Sequence, residues 1–129
     1  IFLAGGHGTM WDFATSSTLS HLIEAFDKKE KIIAAVCHAP AGLVNVKTAA
    51  GDSLVKDKVV TAFSNSEEKA VALDTIVPFL LETRLRELGA IFESGPDWGP
   101  LAKQDGNLIT GQNPASSKPA AKAVLEALK

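Results

Sequence analysis

Cysteine is nearly missing from this chain: Cys37 is the one thiol among 129 residues. A lone cysteine excludes an intrachain disulfide framework and a multi-cysteine zinc site, and it fits a reducing compartment. An excess of charge of either sign is missing too, since 13 Lys and Arg stand against 15 Asp and Glu for a net charge of -2. That balance gives no electrostatic reason to expect nucleic acid or an anionic membrane as a partner. No apolar run reaches the roughly 18 residues of a membrane span, and no segment has the layout of a secretory signal. The expected location is therefore cytoplasmic. Internal repeats and low-complexity segments are also lacking. What remains, 46% hydrophobic and 22% charged residues, is the composition of an ordinary globular protein, long enough for one domain with a sizeable core.

The patterning of what is present alternates between strand and helix. Residues 1–4 predict a short strand running into Gly5-Gly6-His7-Gly8, a turn whose glycines permit unusual φ and close backbone approach. That strand is under way at Ile1, with no Met and no polar lead-in. The expectation is a single α/β domain over 1–129 that forms the C-terminal portion of a larger one, and that does not fold independently. Leu19, Leu22, Ile23 and Phe26 recur at helical spacing and predict a helix from about Thr18 that ends in the charge run 27–31. Residues 32–36 form a continuous apolar run, as in a strand buried on both faces. Pro40 then stands where the first turn of a helix tolerates proline.

Residues 58–63 predict another strand, and Ser64 to Glu68 its exit into a capped helix with an acidic first turn. The strongest amphipathic pattern covers residues 75–88, through Ile76, Val77, Leu80, Leu81, Leu85 and Leu88, and Gly89 stops it. Residues 90–93 read as a strand, and Asp105-Gly106 as a hairpin turn into 107–110. Asn113-Pro114 ends that segment, and Ser117-Lys118-Pro119 opens a terminal helix carrying Val124, Leu125 and Leu128. Alternating strands and helices predict an α/β layer fold with a mostly parallel sheet.

Two strand exits carry chemistry. Cys37 follows an apolar strand and precedes small residues able to open a helix, which places its thiol at the carboxyl edge of the sheet, where α/β folds bind ligands. The free N–H groups of that helix would favour the thiolate, which predicts a reactive Cys37 with a lowered pKa. His38 beside it can exchange a proton with the thiol. If the two exits share an edge, the Gly5-Gly6 turn and the N–H of His38 can offer donors to an oxyanion, by the logic of a nucleophile elbow. Glu67 or Glu68, leaving the next strand, is placed to orient His38. Met10, Trp11 and Trp98, with His7, are candidates for a substrate pocket. The glycine turn lacks both phosphate-loop patterns. His7, His21 and His38 lack close ligand spacing, so no metal is expected.

The segments Ala4-Gly5-Gly6-His7-Gly8, Ala35-Val36-Cys37-His38-Ala39-Pro40 and Leu108-Ile109-Thr110-Gly111-Gln112-Asn113-Pro114-Ala115-Ser116 resemble the ThiJ/PfpI superfamily. They are most similar to its glyoxalase III and heat-shock chaperone branch, over essentially the whole chain. The resemblance implies a flavodoxin-like, class I glutamine amidotransferase-like fold whose N-terminal strands are absent here. It implies Cys37 as nucleophile, His38 as its partner, Glu68 rather than Glu67 as the acid, and the N–H groups of Gly6 and His38 as the oxyanion hole. Ala39 replaces the glycine more usual after Cys-His. The branch also has an upstream glutamate bonded to the nucleophilic thiol, with no counterpart in this chain.

By that resemblance the expected activity is a cofactor-independent, glutathione-independent glyoxalase, formally a lyase, that turns methylglyoxal into D-lactate. The expected partner is a small 2-oxoaldehyde, and the expected assembly a homodimer in full-length form. The alternatives are a stress-related holding chaperone or protein deglycase, a Cys-His-Glu peptidase or amidase, and a redox-sensing thiol protein.

Overall fold

In the computed structural model, which describes residues Ile1–Lys129, the elements in chain order are β1 (Phe2–Leu3), α1 (Thr9–Asp12), α2 (Ser17–Lys28), β2 (Ile33–Val36), β3 (Val59–Val60), α3 (Asn65–Ala70), α4 (Leu81–Glu87), β4 (Ile91–Phe92), β5 (Ala102–Asp105), β6 (Leu108–Gly111) and α5 (Ser117–Ala127). The main sheet runs β1-β2-β6-β5. Its first three strands are parallel, with Leu3 opposite Ala35 and Ala35 opposite Thr110. β5 returns antiparallel through the expected hairpin, where Gly106 takes φ 60° beside the Asp105–Leu108 pair. The sheet is therefore mixed. β3 and β4 form a separate parallel pair, tied to β6 by the Thr61 N–H, which donates to Thr110 Oγ1 at 2.9 Å.

β2 is covered on both faces, and its period of two divides the interior. Ile33 and Ala35 join the larger core with Leu3, Ile23 and Leu43, whereas Ala34 and Val36 join a smaller one with Ile109 and Ala120. α2 supplies Ile23 to the first layer, and α5 supplies Ala120 to the second. Ser16 caps α2 by accepting from the Leu19 N–H at 3.1 Å.

Several expectations are corrected. The helix predicted over 75–88 forms only as α4. Pro78 has no N–H for a helical bond and disfavours helix at the residue before it, so Leu80 stays extended and Ile76 remains 61% exposed. The segment after Cys37 is a short 3₁₀ turn, Ala39–Leu43, with Pro40 in its first turn. α1 was not signalled by any apolar period. Leu125 on α5 and Leu128 just after it are exposed, and Ala120, Ala123 and Val124 pack inward.

Candidate active site

Because β1 and β2 are parallel neighbours, the Gly5-Gly6-His7 and Cys37-His38 exits leave the same edge of the sheet and meet there. Their approach is close. A Cβ at Gly5 would lie 2.6 Å from the Val36 carbonyl oxygen and 2.9 Å from Cys37 Cβ. Gly6 takes φ 124°, which side chains rarely adopt. Cys37 itself is left-handed, at φ 65°. Such a backbone costs a β-carbon residue roughly 1–3 kcal/mol and clusters at functional sites. The elbow is pinned by the Phe63 N–H, which donates to the Cys37 carbonyl at 2.9 Å. That bond also brings the exit of β3, and hence α3, against the thiol.

α3 begins with a capping box in which Ser64 and Glu67 satisfy each other's backbone N–H groups. Its two acidic residues then diverge. Glu68 turns to the histidines, with Oε2 2.7 Å from His38 Nε2 and Oε1 2.6 Å from His7 Nε2. A carboxylate only accepts, so both Nε2 atoms carry the proton and His38 Nδ1 is left to accept from the Cys37 thiol, 3.4 Å away. Glu67 turns the other way. It accepts from the Ser64 N–H, the Trp98 N–H at 2.9 Å, Gln112 Nε2 at 3.0 Å and Asn113 Nδ2 at 2.9 Å. It thereby ties the Trp98 loop and the exit of β6 to α3.

The rings form a column. His7 lies 3.8 Å from His38, His38 4.2 Å from Phe63, and Phe63 5.7 Å from Trp98, centroid to centroid. This column and the elbow line a cavity of about 330 Å³ whose residues include Gly6, His7, Cys37, His38, Phe63 and Trp98.

Burial dominates the electrostatics. It pushes the Cys37 thiol up to about 11, against the opposing pull of the His38 and Gly6 backbone N–H groups, with the Glu67 and Glu68 charges adding to the rise. The lowered thiol pKa expected from the sequence is thus corrected: the 3₁₀ turn of 39–43 supplies too little field to outweigh desolvation. Burial also lowers the pKa of His38, although its bond to Glu68 resists that. At neutral pH the pair is thiol and neutral imidazole rather than an ion pair. Burial alone would raise Glu67, but the bonds from Trp98, Ser64, Asn113 and Gln112 outweigh it and hold its carboxyl below the usual range.

Of the residues singled out from the sequence, the structure brings together Cys37, His38, Glu68, Gly6, His7 and Trp98. It does not bring Met10 or Trp11 to the cavity lining: Met10 is buried in the larger core, and Trp11 is exposed on α1. Sequence reasoning missed Phe63, whose signal was its place as the last residue of a predicted strand at the carboxyl edge. It also missed that sequence spacing hides the meeting of His7 and His38. With Glu68 they present donor atoms within 4.8 Å of one another, a set able to hold a cation. The two short hydrogen bonds to Glu68 already satisfy its oxygens, so no orphaned polar atom calls for an ion.

The profile of the DJ-1/PfpI family matches residues 1–127. The chain is 37% identical over 135 residues to a probable glutathione-independent glyoxalase, hsp3104, of Schizosaccharomyces pombe, covering 98% of this chain and 60% of that protein. Among solved structures, it superposes on the rapid encystment protein of Francisella tularensis with a TM-score of 0.94 at 44% identity, covering 97% of this chain and 56% of that one. It superposes on glyoxalase III of Candida albicans with a TM-score of 0.92 at 27% identity, covering 98% of this chain and 55% of that one. The chain thus spans less than two thirds of the length of each of these relatives.

Proposed function

The chain belongs to the DJ-1/PfpI family, and from that premise we propose that it acts as a glutathione-independent glyoxalase, converting methylglyoxal and water to D-lactate through a covalent bond to Cys37. The observation that carries this reading is the relay Cys37 Sγ to His38 Nδ1 at 3.4 Å and His38 Nε2 to Glu68 at 2.7 Å, set on a strained elbow in the wall of a small cavity. Kinship with proteins named as glyoxalases supports the choice of substrate.

With its pKa near 11, the thiol attacks as its proton leaves rather than after. His38 Nδ1 takes that proton, and Glu68 stabilises the imidazolium that forms. Sγ bonds to the aldehyde carbon, C1, and the carbonyl oxygen becomes an alkoxide. The backbone N–H groups of Gly6 and His38 are the donors available to it, since both already oppose the rise in the thiol's pKa. Return of the proton to that oxygen gives a hemithioacetal. Isomerisation to a lactoyl thioester and hydrolysis by water then free lactate and the thiol. An aldehyde is electrophilic enough for this addition without an organic cofactor.

The experiment is lactate formation from methylglyoxal by the full-length protein and by Cys37→Ala. Wild type should produce D-lactate, and Cys37→Ala should produce none above the uncatalysed rate. Equal rates in the two proteins would remove Cys37 from the chemistry and this reading with it.

A further inference from the structure

We propose that Trp98 is a specificity-determining residue, the wall of the cavity against which the C2 substituent of the 2-oxoaldehyde packs, and that the carboxylate of Glu67 is its positioning residue; this rests on the glyoxalase reading above. Glu67 is a fully buried acid that the mechanism leaves unused. The donors around it hold it in its charged form at neutral pH. A buried charge is costly unless its oxygens are well bonded. Nothing in the thiol relay calls for it, because Glu68 already serves His38. What Glu67 does hold is the loop 94–101.

Pro96 to Gly99 form a tight turn in which the Gly99 N–H donates to the Pro96 carbonyl at 3.1 Å. Trp98 is the third residue of that turn and takes φ 67°, a left-handed backbone for which such turns favour glycine or asparagine. A bulky aromatic residue is strained there. Strain of this kind persists only where the surroundings impose it, and it clusters at ligand-binding sites. The surroundings are specific. Glu67 Oε2 accepts from the Trp98 N–H at 2.9 Å and from Asn113 Nδ2 at 2.9 Å, and the same Asn113 amide donates to the Gly99 carbonyl at 2.7 Å. Glu67 Oε1 accepts from Gln112 Nε2 at 3.0 Å, and Gln112 Oε1 accepts from the Gly95 N–H at 2.8 Å. The loop is thus fastened at Gly95, Trp98 and Gly99 around one carboxylate, which Ser64 fixes at the start of α3. Bonds to an ionised acceptor are roughly twice as strong as neutral ones.

The result is a residue whose backbone is fixed while its ring stays open to the cavity. Trp98 is 46% exposed, lines the same cavity as Cys37, and meets the Phe63 ring edge-on at 5.7 Å. Phe63 in turn lies 4.2 Å from His38, so Trp98 stands at the end of the ring column farthest from His7. The addition step directs the C1 oxygen to the N–H groups of Gly6 and His38. The substituent on C2 is apolar, and the Phe63 and Trp98 rings offer it an apolar surface. Every part of this device lies within residues 63–113, so it does not depend on what else lines the cavity in the full-length protein.

The test uses the full-length protein and reads kcat/KM for two 2-oxoaldehydes, methylglyoxal going to lactate and phenylglyoxal to mandelate. One methylene in an apolar pocket changes selectivity by about 10–200-fold. Trp98→Ala should therefore raise the ratio of phenylglyoxal to methylglyoxal kcat/KM by at least about tenfold, and Trp98→Phe by less. Glu67→Gln should move the ratio in the same direction, and should move it no further when added to Trp98→Ala, since it acts through that ring. A ratio does not depend on the folded fraction, so a loss of stability alone leaves it unchanged. If Glu67→Gln does not fold, Glu67→Asp takes its place, keeping the charge but shortening the reach to the Trp98 N–H. A shift below tenfold in Trp98→Ala would overturn the proposal. An unchanged ratio in the Glu67 variant, a double variant that shifts beyond Trp98→Ala, or failure of both Glu67 variants to fold would make Glu67 a support of the fold alone and overturn its part. Wild type that converts neither aldehyde is a separate result: it would overturn the glyoxalase reading and this proposal together.

Discussion

At the scale of single residues, the site is organised by a conflict between geometry and burial at Cys37. The elbow brings the thiol to the Gly6 and His38 N–H groups, yet enclosure by Phe63, Val36 and the ring column pushes its pKa to about 11. Such a thiol is inert until a base removes its proton during attack, unlike redox-sensor cysteines, which are low-pKa and accessible. The rate of Cys37 alkylation should therefore rise with pH through a half-point near 11, well above that of free cysteine near 8.5. A half-point at or below the free value, measured with iodoacetamide and mass spectrometry, would contradict the burial argument. The identity of these residues was legible in the sequence, because Cys37-His38 after an apolar run and Gly5-Gly6 after another are local signals. The state of the thiol was not, because desolvation depends on residues brought from β3 and α3. His7 illustrates the same limit: His38 lies 31 positions further along the chain, and only the parallel pairing of β1 with β2 stacks the two rings.

At the scale of elements, α3 does two jobs from adjacent positions. Successive residues of a helix point about 100° apart, so Glu67 and Glu68 are aimed at different partners: one at the loops that carry Trp98 and Asn113, the other at the histidines. Glu67→Gln places an amide where the carboxylate accepts several donors, and each buried donor left unmet costs about 1–3 kcal/mol. That variant should melt several degrees lower, and Glu68→Gln should lower turnover far more than Glu67→Gln does. Turnover equally reduced in both would reverse the division of labour. The folded pKa of Glu67 is depressed below its ordinary 4.5, so the stability it contributes is complete above about pH 4.5 and lost as pH falls through the depressed value. Wild type should show that acid-side decline in melting temperature, and Glu67→Gln should show less of it. Element boundaries were legible where caps and turns are local, as at Ser64 and the Asp105-Gly106 hairpin. They failed over 75–88, where a helical period of apolar residues survived in the sequence while Pro78 broke the backbone that would have used it.

At the scale of the molecule, the surface is finished unevenly. One margin of the main sheet ends in β5, which carries charged residues such as Lys103 and Asp105, and Lys103 pairs with Glu93. Charge of this kind is how proteins guard a free edge. Within residues 1–129 the other margin is β1, which carries no such guard there. Phe2 is 42% exposed there, beside an apolar groove lined by Ile1, Phe26, Ile32, Val124 and Leu128. An unguarded strand edge next to exposed apolar side chains is a template for a further strand, from an N-terminal segment, a companion fragment or a second copy of the chain. The purified 129-residue chain should therefore associate with a second copy of itself through β1. Sedimentation would reveal this as a molecular mass above that of the single 13.6 kDa chain, and the melting temperature should rise with protein concentration, as mass action requires. Phe2→Lys, which puts a charge on that edge and removes an aromatic contact, should shift the chain toward monomer without slowing alkylation of Cys37, because Phe2 does not line the cavity. A wild-type monomer with a sharp, concentration-independent melt would mean that the exposed margin is tolerated as it stands, and that the buried cores on the two faces of β2 suffice to hold this chain together.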